Sequence, residues 1–215
     1  MRRVRRLYSL RRSTSAHLTR LRADVVSIPG EQSRLLEAKL AHIVIELLNV
    51  WTNYSRAFYL SCMMEARRES GSRITVSRPS HDFDDALGIA IRTFRPLIPS
   101  PAPGNRWDRR SEPTWHDPNT LVKIAHAELF SNAVDLSAAF STGTRTFLDL
   151  PVFRNYFAHR NMQTQAAATN LAPLYGIPKP KRPSALLLSI PLKRTQMLIE
   201  DYLDDIAFTV EYMCH

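Results

Sequence analysis

Two cysteines occur in 215 residues, Cys62 and Cys214, far apart in the chain and with no partner at metal-ligand spacing. So few thiols exclude a disulfide framework and a structural zinc site, and a reducing cytoplasm is the expected location. The terminal pair Cys214 and His215 is discounted as a nucleophile and base, because chain neighbours seldom meet as a catalytic pair and chain ends fray. No apolar run is long enough to cross a bilayer, so no membrane partner is expected. A glycine-rich phosphate loop, a nucleophile elbow, a cluster of metal ligands and an internal repeat are all missing. Neither a cofactor nor a metal is therefore expected.

Acidic residues are missing from the first 22 positions, which hold Arg2, Arg3, Arg5, Arg6, Arg11, Arg12, Arg20 and Arg22. These arginines account for nearly all of the formal net charge of +9. Charge concentrated in one arm suits a polyanion such as nucleic acid, whose counterions are released when arginines approach. Two other readings stand beside that one. An arginine-rich, serine-containing, acid-free arm also describes a mitochondrial transit peptide. Leu7, Leu10, Leu18 and Leu21 recur at helical spacing, as in an ordinary first helix with a solvated basic face. A secretory signal is not expected, since no apolar region follows the twin arginines.

With 44% hydrophobic and 23% charged residues, the chain as a whole has the composition of a globular domain. Its length suits one domain, read here as a basic arm over 1–30 followed by a helical domain over 31–215. Ile28-Pro29-Gly30 breaks the first helix. Leu36, Leu40, Ile43, Leu47, Trp51, Tyr54, Phe58 and Cys62 then step by threes and fours, the stripe of a long core helix. Residues 82–95 predict a short helix stopped by Pro96. Asp117-Pro118 predicts the start of another, with a capping carboxylate and a first-turn proline. Its apolar face includes Leu121, Ile124, Ala125 and Leu129; Ser131-Asn132 interrupts it, and Val134, Leu136, Ala139 and Phe140 continue to Gly143. One helix is expected from about 149 to 170. A last amphipathic helix runs from about 192 to 213, with Ile199, Leu203, Ile206, Val210 and Met213 as its seam and Glu200, Asp201, Asp204 and Asp205 as its wet side. The fold class is all-α, a helical bundle. RITVSR at 73–78 alternates weakly as a strand would, and ALLLSI at 185–190 is its only plausible partner, so a short two-stranded β ribbon at the edge would accommodate both.

Two irregular insertions interrupt this pattern, at about 96–118 and 173–184. The first places Arg106, Arg109 and Arg110 among Trp107 and Trp115, types that contact single-stranded RNA through phosphate charge and base stacking. Tryptophans that tuck back onto the domain explain the same composition. The second carries Lys179, Lys181 and Arg182 in a proline-stiffened loop.

The stretch RNYFAHRN, Arg154 to Asn161, puts an arginine, an amide and a histidine in an otherwise apolar helical segment. Asn155 and His159, four apart, share one helix face, and Arg154 lies about 100° away with a side chain long enough to reach it. A structural account is available, with Arg154 bonding the end of a neighbouring helix and His159 capping a carbonyl.

An arginine, a polar residue, three further residues and a histidine inside a helix of an all-α chain resembles the R-x4-H motif of the HEPN superfamily. The central tryptophan of a long helix (Val50-Trp51-Thr52) and the Pro-Asn-Thr-Leu helix start upstream resemble that family as well. The resemblance spans about residues 31–213 in helix order, and only RNxxAHR is specific. It implies a HEPN-like bundle and a metal-independent endoribonuclease, active as a homodimer whose motif helices face each other across a composite site. It further implies a toxin–antitoxin or anti-phage defence role, with an antitoxin or defence-system protein as partner. Arg154, Asn155 and His159 would be catalytic, with Arg160 a lesser candidate for RNA contact. Some HEPN toxins carry a tyrosine two residues after the histidine; this chain has Asn161 there, so regulation through such a tyrosine is not expected. A HEPN-like module that binds RNA or protein without cutting is the alternative, since folds outlive their sites.

The chemistry agrees with these residue types. Attack by a ribose 2′-hydroxyl needs a base, an acid for the departing 5′-oxygen, and positive charge on the phosphorane. Histidine serves either proton role near neutrality, and arginine offers a planar fork to phosphate oxygens. One motif supplies one histidine, and a two-fold dimer supplies two.

Overall fold

The computed structural model describes residues 7–28, 33–141 and 143–215. Arg2, Arg3, Arg5 and Arg6 of the basic arm, the Pro29-Gly30 break and Glu31 lie outside the described residues. The chain is all-α, with nine α-helices among the described residues: α1 (Leu7–Val26), α2 (Ser33–Met63), α3 (Phe83–Phe94), α4 (Pro118–Ala127), α5 (Ala133–Phe140), α6 (Thr146–His159), α7 (Met162–Thr169), α8 (Pro183–Leu187) and α9 (Leu198–Cys214). No described helix is long and apolar enough to cross a membrane.

Two compact units divide the chain. One comprises Met1–Ser13, Thr52–Gly143 and Thr209–His215, and the other Thr14–Trp51 and Thr144–Phe208. Helices α1, α2 and α9 contribute residues to both.

In the first unit, Phe58, Tyr59 and Cys62 of α2 are buried, as the stripe requires. Each such side chain contributes about 1.5–3 kcal/mol by leaving water. Tyr54, also buried, donates its hydroxyl to the Val210 carbonyl at 3.2 Å and meets Cys214 Sγ at 3.3 Å. Burial pushes the Tyr54 hydroxyl and the Cys62 thiol well up, and the Cys214 thiol up to about 11. The tryptophans of the 96–118 segment tuck back onto this unit. Trp115 is buried beside Tyr59, ring centroids 5.2 Å apart, and donates to Glu112 at 2.7 Å. Asp82 and Asp117 cap α3 and α4, with Pro118 in the first turn of α4. Leu129 and Val134 depart from expectation: both are exposed, because α4 ends at Ala127 and Leu129 adopts a left-handed backbone (φ 50°) that turns the chain toward α5.

The expected ribbon does not form. Residues 73–78 form no strand: their backbone bonds go to Ala66, Glu128 and Ser131, and among the described residues the only β pairing is an isolated antiparallel bridge between Arg67 and Arg73. Residues 185–187 belong to α8, where Pro183 presets the first turn and Leu186 and Leu187 are buried. A run of leucines does not distinguish strand from helix; the proline decides.

The second unit is built on Leu40, Ile43, Leu47 and Trp51 of α2, buried with Leu18, Leu21 and Val25 of α1. The first helix is thus an integral core element beyond its basic face. Trp51 packs on Phe147 (4.6 Å between centroids) and Phe153 on Tyr202 (6.1 Å). Helix α9 starts at Leu198, six residues later than the periodicity implies, since Lys193 takes a left-handed conformation (φ 65°) in the turn before it. Its acidic side is half-buried and partnered. Asp204 accepts from Arg22 and Gln196, Asp205 from Thr144 and Thr146, and Asp201 from Gln196. Burial raises the Asp204 carboxyl, and the Arg22 and Gln196 hydrogen bonds with the Arg22 charge outweigh it, holding the group below its ordinary value.

Candidate active site

Helix α6 carries Arg154 to His159 of the RNYFAHRN stretch, and its amphipathicity is set by aromatic spacing. Phe147, Leu150, Phe153 and Phe157 step by three, three and four and are buried. That stripe fixes the rotation of the helix. Arg154, Asn155, Ala158 and His159 are consequently exposed, and Tyr156 is half-buried. The side chains of Arg154, Asn155 and His159 make no hydrogen bond or ion pair among the described residues. The structural account, in which they bond a neighbouring helix, is therefore not what these residues do.

Two features hold α6 in place. Near its start, Asp149 has 2% of its side chain exposed and accepts bidentate bonds from Arg145 at 2.9 and 3.0 Å. Tyr175, after α7, donates to the same carboxylate at 2.6 Å and meets the Tyr202 hydroxyl at 2.8 Å. The hydrogen bond to Asp149 raises the Arg145 guanidinium, and burial, followed by that carboxylate, pushes the Tyr175 hydroxyl up.

The second feature is a break. The single helix expected over 149–170 is two helices, because Arg160 adopts a left-handed conformation (φ 44°) and closes α6 with its N–H bonded to the Tyr156 carbonyl at 2.7 Å. Asn161 then caps α7: its side chain accepts from the Thr164 N–H at 2.9 Å, and Thr164 Oγ1 accepts from the Asn161 N–H at 3.2 Å. This reciprocal cap satisfies two backbone donors that a helix start otherwise leaves unpaired. His159 is the last helical residue. Burial raises the Tyr156 hydroxyl, the Glu37 carboxylate adds to that, and the Arg160 and Arg182 charges oppose it.

The other basic candidates divide. Lys179 donates to Asn170 Oδ1 at 2.7 Å, and the Lys181 carbonyl accepts from Gln165 at 2.9 Å, which ties the second proline-rich loop to α7. Arg106 and Arg109 are exposed and line one cleft of the first unit. Arg110 is exposed but does not line it. Sequence reasoning misses Asp149, Tyr175 and Tyr202, although Arg145 and Asp149 at i, i+4 are a legible pair. It also misses Glu112 and Asp84, which organise the cleft.

The fold and this helix face together define an all-α chain that presents an unpartnered arginine, asparagine and histidine from the end of one helix. No family model, curated protein or solved structure matches the chain.

Proposed function

We propose that this chain is a metal-independent endoribonuclease of the HEPN type, acting as a homodimer in a toxin–antitoxin or anti-phage defence system. The observation that carries the reading is the exposure of Asn155 and His159 on one face of α6 and of Arg154 at its flank, none of them engaged by the described residues. Exposed, unbonded polar side chains contribute little to stability, and their chemical types are those that RNA transesterification needs. Leu148 in α6 and Met162 at the start of α7 are 61% and 88% exposed and suit a face that a second copy covers.

In the reaction, the ribose 2′-oxygen bonds to phosphorus as its proton passes to one histidine. The bond from phosphorus to the 5′-oxygen breaks as the second copy's histidine protonates that oxygen, leaving a 2′,3′-cyclic phosphate and a 5′-hydroxyl. His159 fills one role in each copy. Arg154 neutralises the phosphorane oxygens, and Asn155 orients His159 or bonds the phosphate. An antitoxin or defence protein would restrain the activity.

Purified protein and its His159→Ala variant, incubated with total RNA and excess chelator, test this. Wild type should cut and leave cyclic phosphate ends, with the variant slower by about 100-fold or more. Loss of wild-type cutting in chelator refutes the metal-independent mechanism, and a monomer under cutting conditions, measured by sedimentation, refutes the composite site.

A further inference from the structure

In the first unit, the C-terminal part of α2, the start of α3 and residues 104–112 line an open cleft of about 920 Å³, within the size range of small-ligand sites. The loop that closes it is anchored at three points. The backbone N–H of Trp107 donates to Asp84 Oδ1 at 3.0 Å, and the Trp107 ring lies against Gly88, where an added Cβ would come within 2.6 Å of the indole nitrogen. Glu112 holds Arg56 through two bonds at 2.6 and 3.0 Å. The acidic groups of the cleft are thereby committed, Asp82 also capping α3, so a cation finds no open carboxylate cluster. The side chains of Arg106, Arg109, Asn53 and Asn105 are left without hydrogen-bond or ionic partners among the described residues. Phe83, 37% exposed, and Trp107 supply aromatic wall.

We propose that this cleft binds a phosphorylated nucleoside. Arg106 and Arg109 take the phosphate, Asn53 and Asn105 reach polar edges of the base or ribose, and the base lies on the Phe83 and Trp107 side. The chemistry follows from the groups that line the cleft: two unpartnered guanidiniums match a phosphate, two unpartnered amides match a base edge, and aromatic carbon in the wall matches a base face. The nucleotide arrives free or as an unstacked residue of single-stranded RNA. This assignment does not rest on the nuclease reading, since it uses none of the α6 residues.

Trp107 is the only tryptophan lining the cleft, so its fluorescence reports occupancy. The full-length protein is titrated with nucleoside 5′-monophosphates, the parent nucleosides, inorganic phosphate and a short single-stranded oligoribonucleotide. A saturable response to a monophosphate, at least about tenfold tighter than to its nucleoside or to phosphate alone, is expected. Arg106→Ala/Arg109→Ala should weaken it at least about tenfold with an unchanged melting curve. Saturation by the oligoribonucleotide but not by monophosphates, with the same loss in the double variant, assigns the cleft to an RNA residue. No saturable response to any nucleotide or oligonucleotide, equal affinity for inorganic phosphate, or undiminished binding by the double variant overturns the proposal.

Discussion

Replacing Asp149 with alanine should loosen α6 without touching the exposed motif. The substitution deletes two guanidinium bonds at 2.9 and 3.0 Å and one phenol bond at 2.6 Å, all made by a carboxylate with 2% of its side chain exposed. Breaking a fully buried ion pair costs about 3–5 kcal/mol, because the surviving charge is stranded. Arg145 is 40% exposed and rehydrates, so the loss here is smaller. Most of the cost falls on Tyr175, whose half-buried hydroxyl retains only Tyr202. A charge-assisted bond contributes about 1.5–3 kcal/mol, so a total near 2–3 kcal/mol is expected. For a chain of this length that lowers Tm by about 4–12 °C. Tyr175→Phe, which leaves the Arg145 pair intact, should cost about 1–1.5 kcal/mol. Because both variants remove one shared bond, the double variant should fall short of their sum by at least about 0.5 kcal/mol. Thermal unfolding by circular dichroism measures all three. An Asp149→Ala melt within about 2 °C of wild type, or strict additivity in the cycle, refutes the network as the anchor of α6.

Asn161→Ala removes the reciprocal cap of α7 and should cost about 1 kcal/mol, read as faster hydrogen exchange across α7; unchanged exchange there contradicts the capping role. Asp204 has a lowered carboxyl, so its contribution is fully present above the unfolded-state value of about 3.9 and is lost as pH falls through the folded-state value. Arg22→Ala should therefore flatten the acid limb of Tm against pH below about pH 4, and equal acid slopes in the two proteins contradict the pairing.

The legible parts of the fold are those with a local physical signal. The α2 stripe is readable because one face of a long helix is buried continuously from Leu40 to Cys62. Asp82 and Asp117-Pro118 are readable because a cap acts within a few residues of itself. The helix break at Arg160 is hidden, since neither glycine nor proline marks it and the only signal is Asn161 three residues before Thr164, a weaker cap than serine followed by glutamate. The 73–78 segment is misread because its backbone bonds go to positions as distant as Glu128 and Ser131, which no local pattern reveals. The cleft of the first unit is invisible for the same reason: Arg56 and Glu112 are partners only through the fold.

Helix α6 separates two kinds of polar residue that look alike in sequence. Asp149 is charged because α6 needs an anchor, and every lone pair it uses is met by the chain itself. Asn155 and His159 stand on the opposite side of the Phe153 and Phe157 stripe and Arg154 at its exposed flank, where lysine, glutamate or serine would satisfy the fold equally well. Stability and function should therefore come apart along one helix. Substitutions at Arg154, Asn155 and His159 should leave the melting curve within about 0.5 kcal/mol of wild type, whereas Asp149→Ala shifts it. If His159→Ala unfolds the protein as readily as Asp149→Ala does, the motif is part of the scaffold and the catalytic reading loses the observation that carries it.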